Sequence, residues 1–253
     1  MSIYFIALAA ILLVAGLAWV VSVLIHNVSF VDSLWSLFFL LAAVMFVLDA
    51  GDLTTRAQIV LACVLLWSLR LSLHITIRNW GEPEDYRYQN IRENNEPGFV
   101  VKSLYIVFGL QGFLAWIIAI PLLPAINSGA PLNPIDIMAL LLFVIGFFFE
   151  AVGDWQLSRF KASERSDGLV LDPGLWRHTR HPNYFGDFCI WWAFGLFAAS
   201  AGAWWTIYAP LLMSFLLLRV SGVAMLEKDC LLYTSDAADD NRLVLVGVGG
   251  GGC

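Results

Sequence analysis

Long apolar segments alternate with short polar connections along most of this chain. Ile3–Ile25 contains no charged residue, and a segment of about 20 apolar residues is long enough for a helix to cross a bilayer. Six further apolar segments lie at residues 34–48, 57–77, 99–123, 135–157, 185–201 and 204–225. Prolines between residues 121 and 134 separate the fourth segment from the fifth, because proline ends a helix. The pattern predicts an all-α, polytopic membrane helix bundle of about seven transmembrane helices.

Composition supports this prediction and excludes other classes of protein. Of the 253 residues, 60% are hydrophobic and 13% are charged, whereas soluble proteins have about 45–50% and about 25%. The net charge of −6 and the lack of a basic tract argue against a nucleic-acid partner. The four cysteines form no CxxC pair, so we expect neither a metal site nor a disulfide framework.

The cations are distributed asymmetrically between the predicted connections. With seven spans, the connections after the third and fifth helices share one side of the membrane and hold nine cations, while the other side has only Arg56. By the positive-inside rule, those two loops are cytoplasmic and the N-terminus is outside. We expect a multi-pass protein of the inner membrane in a bacterium, or of the endoplasmic reticulum in a eukaryote. The nine cations are Arg78, Arg87, Arg92, Lys102, Arg159, Lys161, Arg165, Arg177 and Arg180.

The C-terminal segment departs from the pattern of the rest of the chain. From residue 230 onward the sequence lacks helical or strand periodicity and ends in a run of glycines. Such a run loses more entropy on ordering than it regains by packing. We therefore predict one transmembrane domain over residues 1–229, followed by a non-native tail over 230–253. A genuine disordered tail is the alternative.

Two polar clusters lie in the predicted cytoplasmic loops. The first includes residues 78–81 and the run Glu84-Asp85-Tyr86-Arg87-Tyr88, which lacks helical amphipathicity and is expected to be a loop lining a ligand. The second, residues 174–187, combines arginines suited to phosphate with Asn183 and Tyr184. Together they predict an anion-recognising pocket at the mouth of an apolar bundle, which suits a phosphate-bearing cofactor and a lipid-like small-molecule substrate. No GxGxxG follows a predicted strand, which argues against a Rossmann domain, and the motifs HExxH and GxSxG are absent.

These motifs carry a resemblance to a known family. The segment from Asp154 to Asp187, with RFK and RHTRHPNYFGD, and the runs SFVDSLW and EDYRY resemble the DUF1295 membrane proteins of the steroid 5α-reductase superfamily. The resemblance implies an NADPH-dependent reductase that reduces an activated carbon–carbon double bond. The usual basic and aromatic ending of that family is missing here, and Asp187 stands where glutamate is more usual.

The resemblance also implies roles for individual residues. Asp154 and Lys161 would bind the adenosine and phosphate end of the cofactor, and Asn183 would bind the nicotinamide carboxamide. Asn79 and Arg219 would contact the cofactor as well. The full predicted cofactor-binding set is Asn79, Asp85, Arg87, Tyr88, Asp154, Arg159, Lys161, Arg177, Arg180, His181, Asn183, Tyr184, Asp187 and Arg219.

Reduction of an enone also needs a group that polarises the carbonyl oxygen. Charged residues inside membrane helices are functional candidates, and this chain places Asp32 at the start of helix two. Asp32 could donate a proton only if burial raises its pKa. His74 is the alternative donor, and either residue could instead have a structural role.

Two other functions fit parts of this pattern. An isoprenylcysteine or phospholipid methyltransferase also has an Arg-His-Pro-x-Tyr motif, although S-adenosylmethionine has no phosphate for the additional cations to bind. A non-enzymatic lipid-binding or assembly protein could share the same fold.

Overall fold

The computed structural model describes residues 2–163 and 174–220, and within them every regular element is helical. The predicted all-α class is therefore confirmed. The predicted tail at 230–253 lies outside the described residues. The α-helices are α1 (Ile3–Ile25), α2 (Val31–Asp49), α3 (Thr55–Asn79), α4 (Tyr86–Asn95), α5 (Phe99–Ile118, with a π-helical part at Leu104–Gly109), α6 (Leu122–Asn127), α7 (Pro134–Lys161), α8 (Pro182–Ser200) and α9 (Tyr208–Phe215). The 3₁₀ turns Gly174–Arg177 and Trp204–Ile207 precede α8 and α9, and the π-helical turn Leu216–Val220 follows α9.

Five of the described helices, α1, α2, α3, α5 and α7, are long and apolar enough to cross a membrane. They correspond to the first five predicted spans. The predicted sixth span is α8, which has the required length but begins with the polar turn Pro182-Asn183-Tyr184. The predicted seventh span corresponds to a 16-residue apolar stretch, Trp204–Arg219, within the described part of the chain.

Many apolar side chains on these helices point away from the protein. Leu24 on α1 and Leu48 on α2 are 73% and 74% exposed, and Ile77 on α3 is also exposed. Exposed leucine and isoleucine on this scale are unfavourable in water but match the hydrocarbon of a bilayer. Burial therefore agrees with a membrane location for this chain.

The backbone divides into two compact units, one formed by residues 1–136 and 194–209 and the other by the described parts of 137–193 and 210–253. In the first unit, α2 packs extensively against α3. Phe39 of α2 and Trp67 of α3 are fully buried with their rings 5.7 Å apart, and Phe194 lies against Trp67. Tyr4 of α1 stacks on Trp116 of α5 at 4.3 Å. Aromatic packing thus forms the core of this unit.

A buried ion pair in the first unit corrects the interpretation of Arg56 as a loop cation. Arg56 is 1% exposed at the start of α3, and its Nε donates to Asp136 Oδ1 at 2.8 Å while Nη2 donates to Oδ2 at 2.9 Å. Its remaining N–H groups reach Ser128, Ser200 and backbone carbonyls of the connection before α7. Arg56 therefore holds helix ends together. The pairing of Arg56 with Asp136 could not be predicted from the sequence, because the two residues are 80 positions apart.

In the second unit, glycines allow α7 and α8 to approach closely. A Cβ atom on Gly146 of α7 would lie 2.6 Å from the carbonyl oxygen of Gly186 on α8, and one on Gly153 would lie 3.0 Å from the backbone nitrogen of Asn183. Small residues permit this backbone contact between membrane helices. The contact brings the polar first turn of α8 against α7.

Two predicted segments differ from the structure. The predicted fourth span ran to residue 123, but α5 ends at Ile118 and a separate helix begins at Leu122, because proline at 121 has no N–H with which to continue the helix. The run at residues 84–88 was expected to be a loop, yet Tyr86–Asn95 is helical. Asp85 is its N-cap and accepts from the backbone N–H of Arg87 at 2.9 Å.

The predicted orientation can be tested with single cysteines on either side of α7. Asn127 and Ala162 are exposed, and the 28-residue helix α7 runs between them, so they should face opposite sides of the membrane. In intact cells, a membrane-impermeant thiol reagent should label Asn127→Cys and not Ala162→Cys. The reverse labelling would invert the topology predicted from the cations.

Candidate functional site

A hydrogen-bonded network, here called the Asp32 network, joins the first turn of α2 to the first turn of α4. Arg87 Nη2 donates to Asp32 Oδ2 at 2.8 Å and to Asp85 Oδ2 at 2.9 Å, so that one guanidinium binds two carboxylates. The hydroxyl of Tyr88 donates to Asp32 Oδ1 at 2.5 Å and accepts from Gln111 Nε2 of α5 at 3.0 Å. The network therefore unites the two sequence motifs SFVDSLW and EDYRY.

A second set of contacts fixes the segment before α4 to the connection between α1 and α2. Glu84 accepts from the backbone N–H of Val28 at 2.8 Å and binds Arg92 through both carboxylate oxygens. The hydroxyl of Ser29 accepts from the backbone N–H of Asp85 at 2.7 Å. These bonds satisfy backbone groups that lie outside regular helices, and they hold the Asp32 network in place.

The charges within the network shift the ionisation of its members outside the membrane helices. Burial disfavours charge on Asp85, but hydrogen bonds from Arg87 and its positive charge outweigh burial and lower the pKa of this carboxyl. Burial, reinforced by the charge of Asp32, raises the pKa of the Tyr88 hydroxyl. Tyr88 therefore keeps its proton at neutral pH, whereas Asp85 is ionised.

In this geometry the side chain of Asp32 is an acceptor, and its predicted role as a proton donor stays a prediction. Both of its oxygens accept hydrogen bonds, one from the guanidinium of Arg87 and one from the hydroxyl of Tyr88. The proton nearest to Asp32 belongs to Tyr88. The proximity of Asp32 to Asp85, Arg87 and Tyr88 could not be predicted from the sequence, because 52 residues or more separate them.

Beside this network the first unit contains a cavity of about 840 Å³. It lies between the end of α1, the beginning of α2, the last two turns of α3 and the segment that leads into α4. Asn79 and Asp85, two residues of the predicted cofactor-binding set, line it. His74, the alternative proton donor, is half-buried on α3 and is not among the residues that line this cavity.

The second unit brings together the two residues with the most specific predicted roles, Asp154 of α7 and Asn183 of α8. Asn183 Nδ2 donates to Asp154 Oδ1 at 3.1 Å, and Asp154 is buried. Asn183 Oδ1 is also buried and has no hydrogen-bond partner within the described residues. A buried carbonyl oxygen without a hydrogen-bond donor is costly, and among the described residues nothing offsets that cost.

The loop before α8 is held against α7 by its own contacts. The indole of Trp176 is buried and donates to the backbone carbonyl of Gly153 at 3.1 Å, and the N–H of Leu175 donates to Gln156 Oε1 at 3.1 Å. Gly174 has a φ of +70° and lies so close to Gln156 that a Cβ atom would collide with it. These contacts place Asn183 within a defined loop–helix junction.

Cations surround this junction in the sequence and are exposed in the structure. Arg159 and Lys161 lie in the last turn of α7, and Arg177 and Arg180 lie in the loop before α8. Lys161 follows Asp154 by seven residues, which places both on one face of α7. The rings of His181 and Tyr184 are 5.7 Å apart on the same loop–helix junction, Asp187 is half-buried one turn further along α8, and Arg219 is exposed after α9.

Several residues of these clusters were missed by the sequence interpretation. Gln111 and Arg92 are polar residues of common types. Their sequence neighbours do not distinguish them from other glutamines and arginines of the chain. Gln156 and Trp176 lie within the segment that attracted attention, yet their roles depend on contacts between α7 and the loop. Only pairing across the fold reveals them.

Comparison with known proteins gives a family but no described activity. No solved structure matches this chain. A curated relative, Uncharacterized protein C594.04c of Schizosaccharomyces pombe, is 29% identical over 232 residues. The match covers 78% of this chain and 66% of that relative, so the chain spans just under two thirds of the relative's length. The family model described as Protein of unknown function (DUF1295) matches residues 18–239, and the chain therefore belongs to the DUF1295 family.

Proposed function

We propose that this protein is a membrane-embedded, NADPH-dependent reductase of the steroid 5α-reductase type, acting on the activated carbon–carbon double bond of a lipid-like substrate. The observation that carries the proposal is Asn183 Oδ1, a buried acceptor without a partner in the described residues. Its side-chain nitrogen is already oriented by Asp154. A primary carboxamide is the ligand group that can donate to such an oxygen and accept from the second N–H of the same side chain.

The residues around Asn183 fit the rest of the cofactor. Lys161 and Arg177 are exposed cations able to bind phosphate, Arg177 with a planar fork that can contact two oxygens. Asp154 accepts from the side-chain nitrogen of Asn183 and so keeps the Asn183 side chain in one rotamer. When bound, the nicotinamide would supply a hydride to the substrate carbon. The contribution of Asn183 is to fix which face of that ring is presented.

The Asp32 network of the first unit offers a proton donor of its own. The hydroxyl of Tyr88 carries the proton next to the carboxylate of Asp32, and Gln111 donates to the same hydroxyl. Asp32 Oδ1 accepts from this hydroxyl and so orients its O–H group, and Arg87 pairs with the other oxygen of Asp32. Within the first unit, Asp32 is then a positioning residue, and Tyr88 is the group that can donate a proton.

Ligand-dependent thermal stability of the purified protein tests the proposal against its alternative. A nucleotide that binds the folded protein raises the unfolding temperature in proportion to the logarithm of its concentration. We expect NADPH to stabilise the protein in detergent and S-adenosylmethionine to leave it unchanged. Stabilisation by S-adenosylmethionine alone would replace the reductase proposal with a methyltransferase.

The exposed cations should make NADPH bind more tightly than NADH. A charge-assisted hydrogen bond contributes about 1.5–3 kcal/mol, so Lys161→Ala and Arg177→Ala should each raise the Kd for NADPH about tenfold or more. The Kd for NADH should change less wherever the lost partner is the additional 2′-phosphate. Isothermal titration of each variant gives both constants.

Lys102→Ala provides the matched control, since Lys102 is a cation of the other unit that donates to the backbone carbonyl of Asn95. Its Kd values should equal those of the unmodified protein. An unchanged NADPH affinity in Lys161→Ala or Arg177→Ala would remove the phosphate assignment from that residue.

A further inference from the structure

The cavity of the first unit combines an apolar wall with a polar mouth. Its lining extends along α2 from Phe30 to Leu37, which at 1.5 Å per residue is a depth of about 10 Å. Along α3 it extends from Ser72 to Asn79, a similar distance. Leu34 and Leu37 form part of the apolar wall. Its volume of about 840 Å³ lies within the range of sites that bind small molecules.

The polar mouth of this cavity is acidic. Three carboxylates line it, those of Glu82, Glu84 and Asp85, while none of the described lining residues is lysine, arginine or histidine. Glu84 and Asp85 are ion-paired with Arg92 and Arg87 on their other side. The side chain of Glu82 is exposed and has no hydrogen-bond or ion-pair partner in the described part of the chain.

The balance of charge at the mouth favours a cation. In the Asp32 network and the contacts next to it, three carboxylates face two guanidinium groups, and Glu82 adds a further negative charge. Arg78 also acts on Asp85, so the four carboxylates are opposed by three guanidinium groups, and an anionic head group entering here would still meet an excess of negative charge. A protonated amine would donate its N–H groups to carboxylate oxygens, which are acceptors only.

We propose that this cavity is a binding site for a single-chain amphiphile with a protonated amine head. The alkyl chain lies between α2 and α3, and the head group lies against Glu82 and Asp85 at the mouth. The ends of α1 and α3 and the beginning of α2 belong to the same side of the membrane, so the cavity opens where a lipid head group lies. The proposal does not depend on reductase activity, and its test uses no nucleotide.

The test compares ligands that share one chain and differ only in the head group. Equilibrium binding of a radiolabelled long-chain primary amine to the purified protein in uncharged detergent is measured, with the alcohol and the carboxylic acid of equal length as competitors. We expect the unlabelled amine to compete best, the alcohol less well and the acid least. Equal competition by the amine and the acid would overturn the proposal.

A charge-reversed variant separates the site from the overall charge of the protein. Glu82→Lys replaces attraction by repulsion at the mouth and should raise the Kd for the amine about tenfold. An exposed ion pair changes a binding constant by up to about fivefold, and this variant both removes the attraction and adds a repulsion. Glu93→Lys gives the same net charge on an exposed position of α4 that does not line the cavity, and it should bind the amine normally. Equal effects of the two variants would show non-specific attraction and would reject the site.

A variant that fills the apolar wall completes the test. Leu37→Trp enlarges a half-buried lining side chain and should reduce binding of the amine and of the alcohol alike. The thermal unfolding of each variant, measured without ligand, shows whether it is folded. If folded Leu37→Trp binds the amine as the unmodified protein does, the chain does not occupy this cavity.

Discussion

Replacing Arg56 with methionine is expected to lower the free energy of unfolding by about 3–5 kcal/mol, because it leaves a buried charge without its partner. Asp136 is 3% exposed, and Arg56 donates to both of its oxygens. The same change removes donors from the backbone carbonyls of Ala130 and Pro131. An unfolding titration with sodium dodecyl sulfate in mixed micelles measures the difference.

Two further variants make this expectation specific. Arg78→Met changes an exposed cation at the other end of α3 and should alter stability by no more than about 0.5 kcal/mol. In the double variant Arg56→Met/Asp136→Leu neither partner of this pair remains charged, so part of the lost stability should return. Equal stability of Arg56→Met and Arg78→Met would show that the buried pair does not hold the fold together.

The five apolar spans could be predicted from sequence because their signal is local. A run such as Ile3–Ile25 meets the length and hydropathy requirements of a bilayer without reference to any other part of the chain. Helix ends were less predictable where capping decides them. Asp85 caps the start of α4 by accepting a hydrogen bond from the backbone N–H of Arg87. A short polar helix of this kind has no hydrophobic periodicity from which it could be predicted.

The candidate sites could be predicted in part. Chemistry in the sequence pointed to Asp32 and to the run at residues 84–88, but their pairing through Arg87 follows from the packing of α4 near the start of α2. Arg56 was misinterpreted for the same reason, since its partner Asp136 is remote in the sequence. Long-range pairing depends on how helices pack, and a single sequence does not contain that information in any local pattern.

Close approach of helices has the same limitation. Gly146 and Gly186 are unremarkable residues in apolar segments, yet their contact brings α7 and α8 together. Asn183 had been singled out for its carboxamide alone. The structure adds that Asp154 is the partner that orients it, and that the remaining oxygen has no donor within the described residues.

The variant Asn183→Leu is therefore expected to reduce NADPH-dependent reduction of an enone by about 100-fold or more, which is the usual cost of misplacing a reacting group by about 1 Å. Leucine is similar in size to asparagine but can neither orient against Asp154 nor accept from a carboxamide. Steady-state kinetics give kcat/KM, and thermal unfolding with and without NADPH shows separately whether the protein is folded and whether it binds the cofactor.

Two comparisons decide what a loss of activity in Asn183→Leu means. Asn94→Leu changes an exposed asparagine of α4 and should retain normal kinetics and normal stabilisation by NADPH. Asn183→Asp places a second carboxylate beside buried Asp154, so repulsion should destabilise the protein as well as prevent cofactor binding. Leucine is for that reason the more informative change. If Asn183→Leu is folded and reduces an enone at a near-normal rate, Asn183 does not bind the nicotinamide, and the feature on which the reductase proposal depends is lost.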